Sequence, residues 1–195
     1  MLIACFILLR SVFCLSNRAL EKLLTRDQLF ALYLRKLTLG LSSIRVIASG
    51  MGHAYENLEV ISITDSLLDD NHVIPLLESL HNTHSLLELS LAGNSITDAS
   101  HRHIMLLLAA SKIMTLDISR NAISNGTMVP LARSLLDYPN LQSVYASDNQ
   151  ISNAGGKAML EAFQAVSSLR HVDISGNPME SSLVSSAELL NSMRS

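Results

Sequence analysis

Leu86-Leu-Glu-Leu-Ser-Leu-Ala-Gly-Asn94-Ser-Ile96 reads L-x-x-L-x-L-x-x-N-x-L, and three later segments repeat it. They are Ile113-Met-Thr-Leu-Asp-Ile-Ser-Arg-Asn121-Ala-Ile123, Leu141-Gln-Ser-Val-Tyr-Ala-Ser-Asp-Asn149-Gln-Ile151 and Leu169-Arg-His-Val-Asp-Ile-Ser-Gly-Asn177-Pro-Met179. Their starts lie 27, 28 and 28 residues apart. A fixed period of this length is the signature of a stacked repeat, in which each unit buries its apolar face on its neighbours. Stepping back 28 residues gives Leu58, Ile61, Ile63, Ser66 and Leu68, with serine in the asparagine position. Further steps give Leu34, Leu37, Leu39, Ser42 and Ile44, then Leu9, Val12, Cys14, Asn17 and Ala19. About seven repeats are therefore expected, starting near 9, 34, 58, 86, 113, 141 and 169, within a single domain over 1–195.

The alternating apolar residues predict a short strand with one face inward. The asparagine turns the chain out of that strand. Its amide can satisfy backbone groups that stacking would otherwise bury unpaired. A ladder from Asn94 through Asn121 and Asn149 to Asn177 is expected, with Ser42 and Ser66 satisfying less. The second half of each repeat reads as a helix. Asp69 or Asp70 caps one, with Val73, Leu76, Leu77 and Leu80 inward. Ser152 or Asn153 caps another, with Ala158, Ala162 and Phe163 inward. Pro75 and Pro130 are placed in or near the first turns of their helices, where a missing N–H matters little. A further helix is predicted over 18–31, with Leu20, Leu23 and Leu24 inward. The Ser-rich end, 181–195, reads as a last convex helix acting as a cap, with Leu183, Val184, Ala187 and Leu190 inward.

These units resemble the ribonuclease-inhibitor-like class of leucine-rich repeats, and the stretch from Asn149 to Phe163 is especially similar to its repeat. The resemblance implies an α/β fold: a right-handed solenoid, or horseshoe, with parallel strands on the concave face and helices on the convex face. It implies little about function. The class includes enzyme inhibitors, Ran GTPase-activating proteins, actin-capping tropomodulins and innate immune sensors. Cysteine-rich caps of the secreted type are not visible, so the resemblance favours a cytoplasmic setting.

Composition agrees with many thin layers. The 195 residues are 48% apolar but 4% aromatic, without tryptophan, and mean hydropathy is +0.30. Net charge is −3, which does not favour nucleic acid. Residues 1–57 carry +4 and residues 58–195 carry −7. Two cysteines, Cys5 and Cys14, do not make a disulfide framework. Met1–Leu9 is an apolar run like a signal core. However, no positive charge precedes it, Arg10 interrupts it, and it is shorter than the roughly 20 residues a membrane span needs. Residues 1–8 are thus set apart as a signal-like or uncapped apolar start. Secretion or membrane anchoring is the alternative to the cytoplasm if 1–16 form a signal. A bare end of a longer solenoid, or a docking end, is a further reading.

On the strand face, the residues flanking the second Leu of each repeat point outward. The candidate partner-binding set is Glu88, Asp117, Arg120, Tyr145, Asp148, His171 and Asp173, an acidic surface with Tyr145 as its aromatic anchor. Asp117 and Asp173 lie two repeats apart, too far to act as paired acid and base. His81 with His84, and His101 with His103, read as helix-face histidines rather than zinc ligands. Gly155-Gly156 reads as a tight helix entry, and no phosphate loop, serine elbow or zinc-protease motif occurs. The expected function is a non-enzymatic scaffold or adaptor that binds a protein, without cofactor, metal, nucleic acid or membrane. The alternatives are a regulator of a small GTPase and a secreted recognition protein.

Overall fold

The computed structural model describes residues 5–10, 29–54 and 57–194. Seven parallel strands form one sheet in chain order: β1 (Cys5–Arg10), β2 (Leu29–Arg35), β3 (Val60–Thr64), β4 (Glu88–Ser90), β5 (Thr115–Asp117), β6 (Ser143–Tyr145) and β7 (His171–Asp173). Helices alternate with them: α1 (Leu41–Ala54), α2 (Asp70–Ser79), α3 (His101–Ala110), α4 (Asn125–Ser134), α5 (Asn153–Ala165) and α6 (Ser181–Arg194). Parallel neighbours need a crossover, and from β2 onward one helix per repeat supplies it.

From β3 onward the strands fall where the sequence places them. Leu89, Leu116, Val144 and Val172 stand beside one another in the ladder and are buried. Further back, the register differs from expectation. Leu32 pairs with Ile61 and Leu34 with Ile63, so this repeat begins at Leu29, five residues before Leu34. Leu37 then stands level with Ser66, and its N–H donates to the Ser66 hydroxyl; Ser42 lies in α1. In β1, Ile7 and Leu9 pair with Leu32 and Leu34, so Leu9 holds the third apolar position rather than the first. The helix expected over 18–31 is overruled at its end, where Leu29–Arg35 is strand. The rest of that helix, with Leu20, Leu23 and Leu24, lies outside the described residues, as do Val12, Cys14, Asn17 and Ala19.

Two hydrogen-bonded ladders stitch the repeats. The first is the asparagine ladder. Asn149 accepts from the Ile123 N–H at 3.0 Å and donates to the carbonyls of Ile118, Ala146 and Ser147 at 3.0–3.2 Å. Asn94, Asn121 and Asn177 do the same for their own turns and the preceding one. Ser66 holds two backbone groups, the Leu37 N–H and the Thr64 carbonyl.

The second ladder runs along the helix starts. Asp70 accepts from the Thr97 N–H and hydroxyl, and from Ser100. Asp98 accepts from the Ser124 N–H and from the Ser124 and Thr127 hydroxyls. Asn125 accepts from the Ser152 and Gly155 N–H groups, and Asn153 from the Glu180 N–H. Burial pushes the Asp98 carboxyl up, but the bonds from Ser124 and Thr127 outweigh it and hold the group below its ordinary value. Side-chain capping falls to the preceding residue at Asp69, Thr97 and Ser124, where Asp69 accepts from the His72 N–H; Ser152, expected as a cap, makes no such bond at the start of α5. Gly155 lies in the first turn of α5, the tight helix entry expected, and a Cβ there would stand 2.5 Å from the Asn125 amide oxygen, so this glycine admits the ladder.

The helices close the core from outside. Val73, Leu76, Leu77 and Leu80 are buried as expected. In α5 the buried face is Met159, Leu160 and Phe163, with Ala158 and Ala162 at its margin. Pro75 and Pro130 each take the sixth position of a ten-residue helix, deeper than expected.

The last helix does more than extend the outer layer. Leu183, Val184, Ala187 and Leu190 turn inward, and the Asn191 amide pairs with both the N–H and the carbonyl of Val172, at 2.9 Å each. It thereby occupies backbone groups that the outer edge of β7 would otherwise leave open. Arg194 adds bonds to the carbonyls of Val166 and Leu169 and lies 4.8 Å from the Phe163 ring centre. The outer side of α6 is not wholly polar, since Leu189 and Met193 are 63% and 73% exposed. Among the described residues, no helix is long and apolar enough to cross a membrane.

Candidate functional site

Alternation along each strand sends every second side chain away from the helices. The register aligns these residues in two rows across the sheet. One row runs Ala31, Val60, Glu88, Thr115, Ser143, His171. The other runs Tyr33, Ser62, Ser90, Asp117, Tyr145, Asp173. Five of the seven candidate residues (Glu88, Asp117, Tyr145, His171 and Asp173) therefore share this face.

Arg120 and Asp148 belong to a third row, just beyond the strands. There the residue at one position of each repeat adopts a left-handed backbone: Lys36, Asp65, Gly93, Arg120, Asp148 and Gly176, with φ between 52° and 69°, and Leu67, two residues after Asp65, adopts it as well. This conformation costs about 1–2 kcal/mol for a side chain bearing a Cβ. The left-handed row turns the chain from the strand toward the asparagine. At two places its side chains overlie a glycine of the next repeat. A Cβ on Gly93 would stand 2.2 Å from an Asp65 carboxylate oxygen, and one on Gly176 would stand 2.1 Å from Asp148.

Arg120 uses the space over Gly93. Its guanidinium passes across that repeat to Asp65 at 2.7 Å, while Arg35 meets the same carboxylate from the other side at 3.0 Å. Burial raises the Asp65 pKa, but hydrogen bonds and charge from the two arginines more than offset this and leave the carboxyl below its ordinary value. Arg120, expected as a lone cation offered to a partner, is thus tied within the chain. The sequence places Asp65 at a strand end alongside Arg120 and Asp148, but not its pairing with Arg120. No pattern inside one repeat joins residues 55 positions apart.

Toward β5–β7 the carboxylates are not neutralised. Among the described residues, Asp117, Asp148 and Asp173 have no basic group within ion-pair distance, whereas Asp65 has two. Asp117 accepts from the Ser119 N–H and the Ser90 hydroxyl, and Asp173 accepts from the Ser175 N–H and hydroxyl. These bonds fix the carboxylates in place while leaving their charge uncompensated. Tyr145 stands between Asp117 and Asp173 in its row, one strand spacing of about 4.8 Å from each. Its ring meets that of His171, with centres 4.9 Å apart and planes tilted by 39°.

The histidines of the helix layer lie elsewhere. His81 and His103 line a cleft of about 400 Å³ between α2 and α3, with Leu77, Glu78, Arg102 and Leu106. His103 Nε2 is 3.4 Å from Glu78. Asp117 and Asp173 are separated by the whole of β6.

A Leucine Rich repeat family model matches residues 82–100, which include the Leu86–Ile96 segment. No curated protein sequence matches the chain. Solved structures with the same fold include the actin-binding site 2 of leiomodin-1, with 15% identity and a TM-score of 0.60 over 77% of this chain and 86% of that one. Another is the C-terminal domain of tropomodulin from Caenorhabditis elegans, with 18% identity and a TM-score of 0.54 over 92% and 95%. A third is internalin C2 from Listeria monocytogenes, with 17% identity and a TM-score of 0.50 over 83% and 67%. The fold is that of a leucine-rich repeat solenoid, consistent with the ribonuclease-inhibitor-like class.

Proposed function

We propose that this chain is a non-enzymatic scaffold that binds a protein on the strand face of β4–β7. One observation carries the reading. On that face Asp117, Asp148 and Asp173 have no basic group within ion-pair distance among the described residues, beside an aromatic pair made by Tyr145 and His171. Tyrosine is over-represented among binding hot spots, and carboxylates left without a counter-charge are available to a complementary partner. The leiomodin-1 domain of similar fold is, by its name, an actin-binding site. It is an example of the solenoid used for protein binding and does not name the partner here. The reading needs no cofactor. An intracellular setting suits a chain with two cysteines.

The test is affinity capture with the full chain, comparing wild type with Asp117→Lys/Tyr145→Ala/Asp173→Lys. A partner lost by the variant, with the circular dichroism spectrum unchanged, supports the face. A partner held equally by both moves binding to the helices and ends this reading.

A further inference from the structure

Charge on the strand face is distributed in a way that constrains the chemistry of its occupant. At the β2–β5 side of the left-handed row, Arg35 and Arg120 share the one Asp65 carboxylate, so this cluster carries no free anion and one positive charge in excess. At the β5–β7 side, two carboxylates flank the Tyr145 ring within one row, and the ring is steadied by His171. The carboxylates are held by backbone N–H groups two residues along the chain, Asp117 by Ser119 and Asp173 by Ser175, both at 3.0 Å. The ring and both charges are therefore placed before any partner arrives, which lowers the ordering cost of binding. Along the sheet axis the order is anion, ring, anion.

We infer that this part of the face takes an arginine- or lysine-bearing segment of a protein partner, with one cationic side chain seated over Tyr145 between Asp117 and Asp173. A cation over an aromatic face is attracted by the ring quadrupole, and arginine can also stack on it. Two carboxylates about one strand spacing away on either side suit the several N–H donors of a guanidinium. An acidic segment meets three uncompensated carboxylates and is repelled. This inference rests on the strand face being the binding surface and adds the chemistry of what binds there.

The probe is a short peptide of alternating glycine and arginine, titrated into the full chain and followed by NMR shifts at Tyr145 and His171. Its control has citrulline in place of every arginine, which keeps the shape and removes the charge. Wild type binds the arginine peptide and not the citrulline one. Asp117→Asn/Asp173→Asn weakens binding about fivefold, the scale of two exposed ion pairs. Tyr145→Leu weakens it about threefold. A charge-matched variant on the helix side, Asp137→Asn/Glu161→Gln, leaves affinity unchanged. An equal loss in the charge-matched variant overturns the inference in favour of bulk charge. Equal binding of the citrulline peptide, or no binding of either, also overturns it. None of these results decides whether the strand face binds a protein, since the partner-capture comparison reads that separately.

Discussion

Replacing Asn149 by leucine tests the idea that one side chain completes the backbone of two consecutive turns. Asn149 is 7% exposed, and its amide serves four backbone groups. Three of those bonds, to the Ile123 N–H and the carbonyls of Ile118 and Ala146, are buried. Leucine has the same four side-chain heavy atoms branched at Cγ, with bulkier methyl ends, so the change opens no cavity and its main effect is the polar loss. A buried backbone group left without a partner costs about 1–3 kcal/mol. Three such groups, partly relieved by small shifts and entering water, give about 3–5 kcal/mol. That is a large share of the 5–15 kcal/mol typical of a whole domain. Asn149→Ser is expected to cost less, because Ser66 shows that a hydroxyl in this position still holds two backbone groups. Urea unfolding followed by circular dichroism measures both variants, with a constant m-value checking that one transition is compared. Amide exchange at Ile123 reports the local opening directly. A leucine variant within about 0.5 kcal/mol of wild type, the range of an inert surface change, would refute the reasoning, as would an Ile123 amide protected as before.

Leu116 is fully buried in β5, and Leu116→Ala is expected to cost about 2–5 kcal/mol in the same urea assay. Gly176→Ala places a Cβ 2.1 Å from Asp148 at φ +67°, so it should lower Tm, and adding Asp148→Ala should restore the part due to collision but not the part due to φ. The Asp98 carboxyl is held below its ordinary value, so its contribution is complete above the unfolded pKa of about 3.9 and is lost as pH falls through the lower folded value. Urea midpoints of wild type and Asp98→Asn should therefore converge as pH is lowered from 5 toward 2; a gap of constant size across that window would exclude the assigned role.

The four later repeats were legible because each carries both an apolar alternation and an asparagine, and the asparagine fixes the phase. In the run Leu29, Leu32, Leu34, Leu37 and Leu39, the L-x-x-L-x-L pattern fits twice, from 29 and from 34. No asparagine follows at the right distance to choose between them, and the pairing of Leu32 with Ile61 decides it. The helix-start ladder was written in the chain as Thr97-Asp98, Ser124-Asn125 and Ser152-Asn153. These pairs read as caps when each repeat is considered alone, since capping uses the same residue types. Their reach into the next repeat requires the stack. The strand-face rows followed from alternation, so Asp117, Tyr145 and Asp173 could be placed from sequence. The fate of Arg120 could not, because it depends on the missing side chain at Gly93.

The two ladders point in opposite directions along the chain. The asparagines at 121 and 149 accept from the repeat before them, and Asp98 and Asn125 accept from the repeat after them. Each junction from β3 to β7 is therefore signed twice, once by each party, and a repeat there cannot be exchanged for a foreign one by matching its leucines alone. A transplanted unit would need an asparagine to complete its predecessor and an acidic or amide residue to complete its successor. Missing either, it would divide the solenoid into two separately melting blocks at that junction, as nearest-neighbour coupling in a linear array requires.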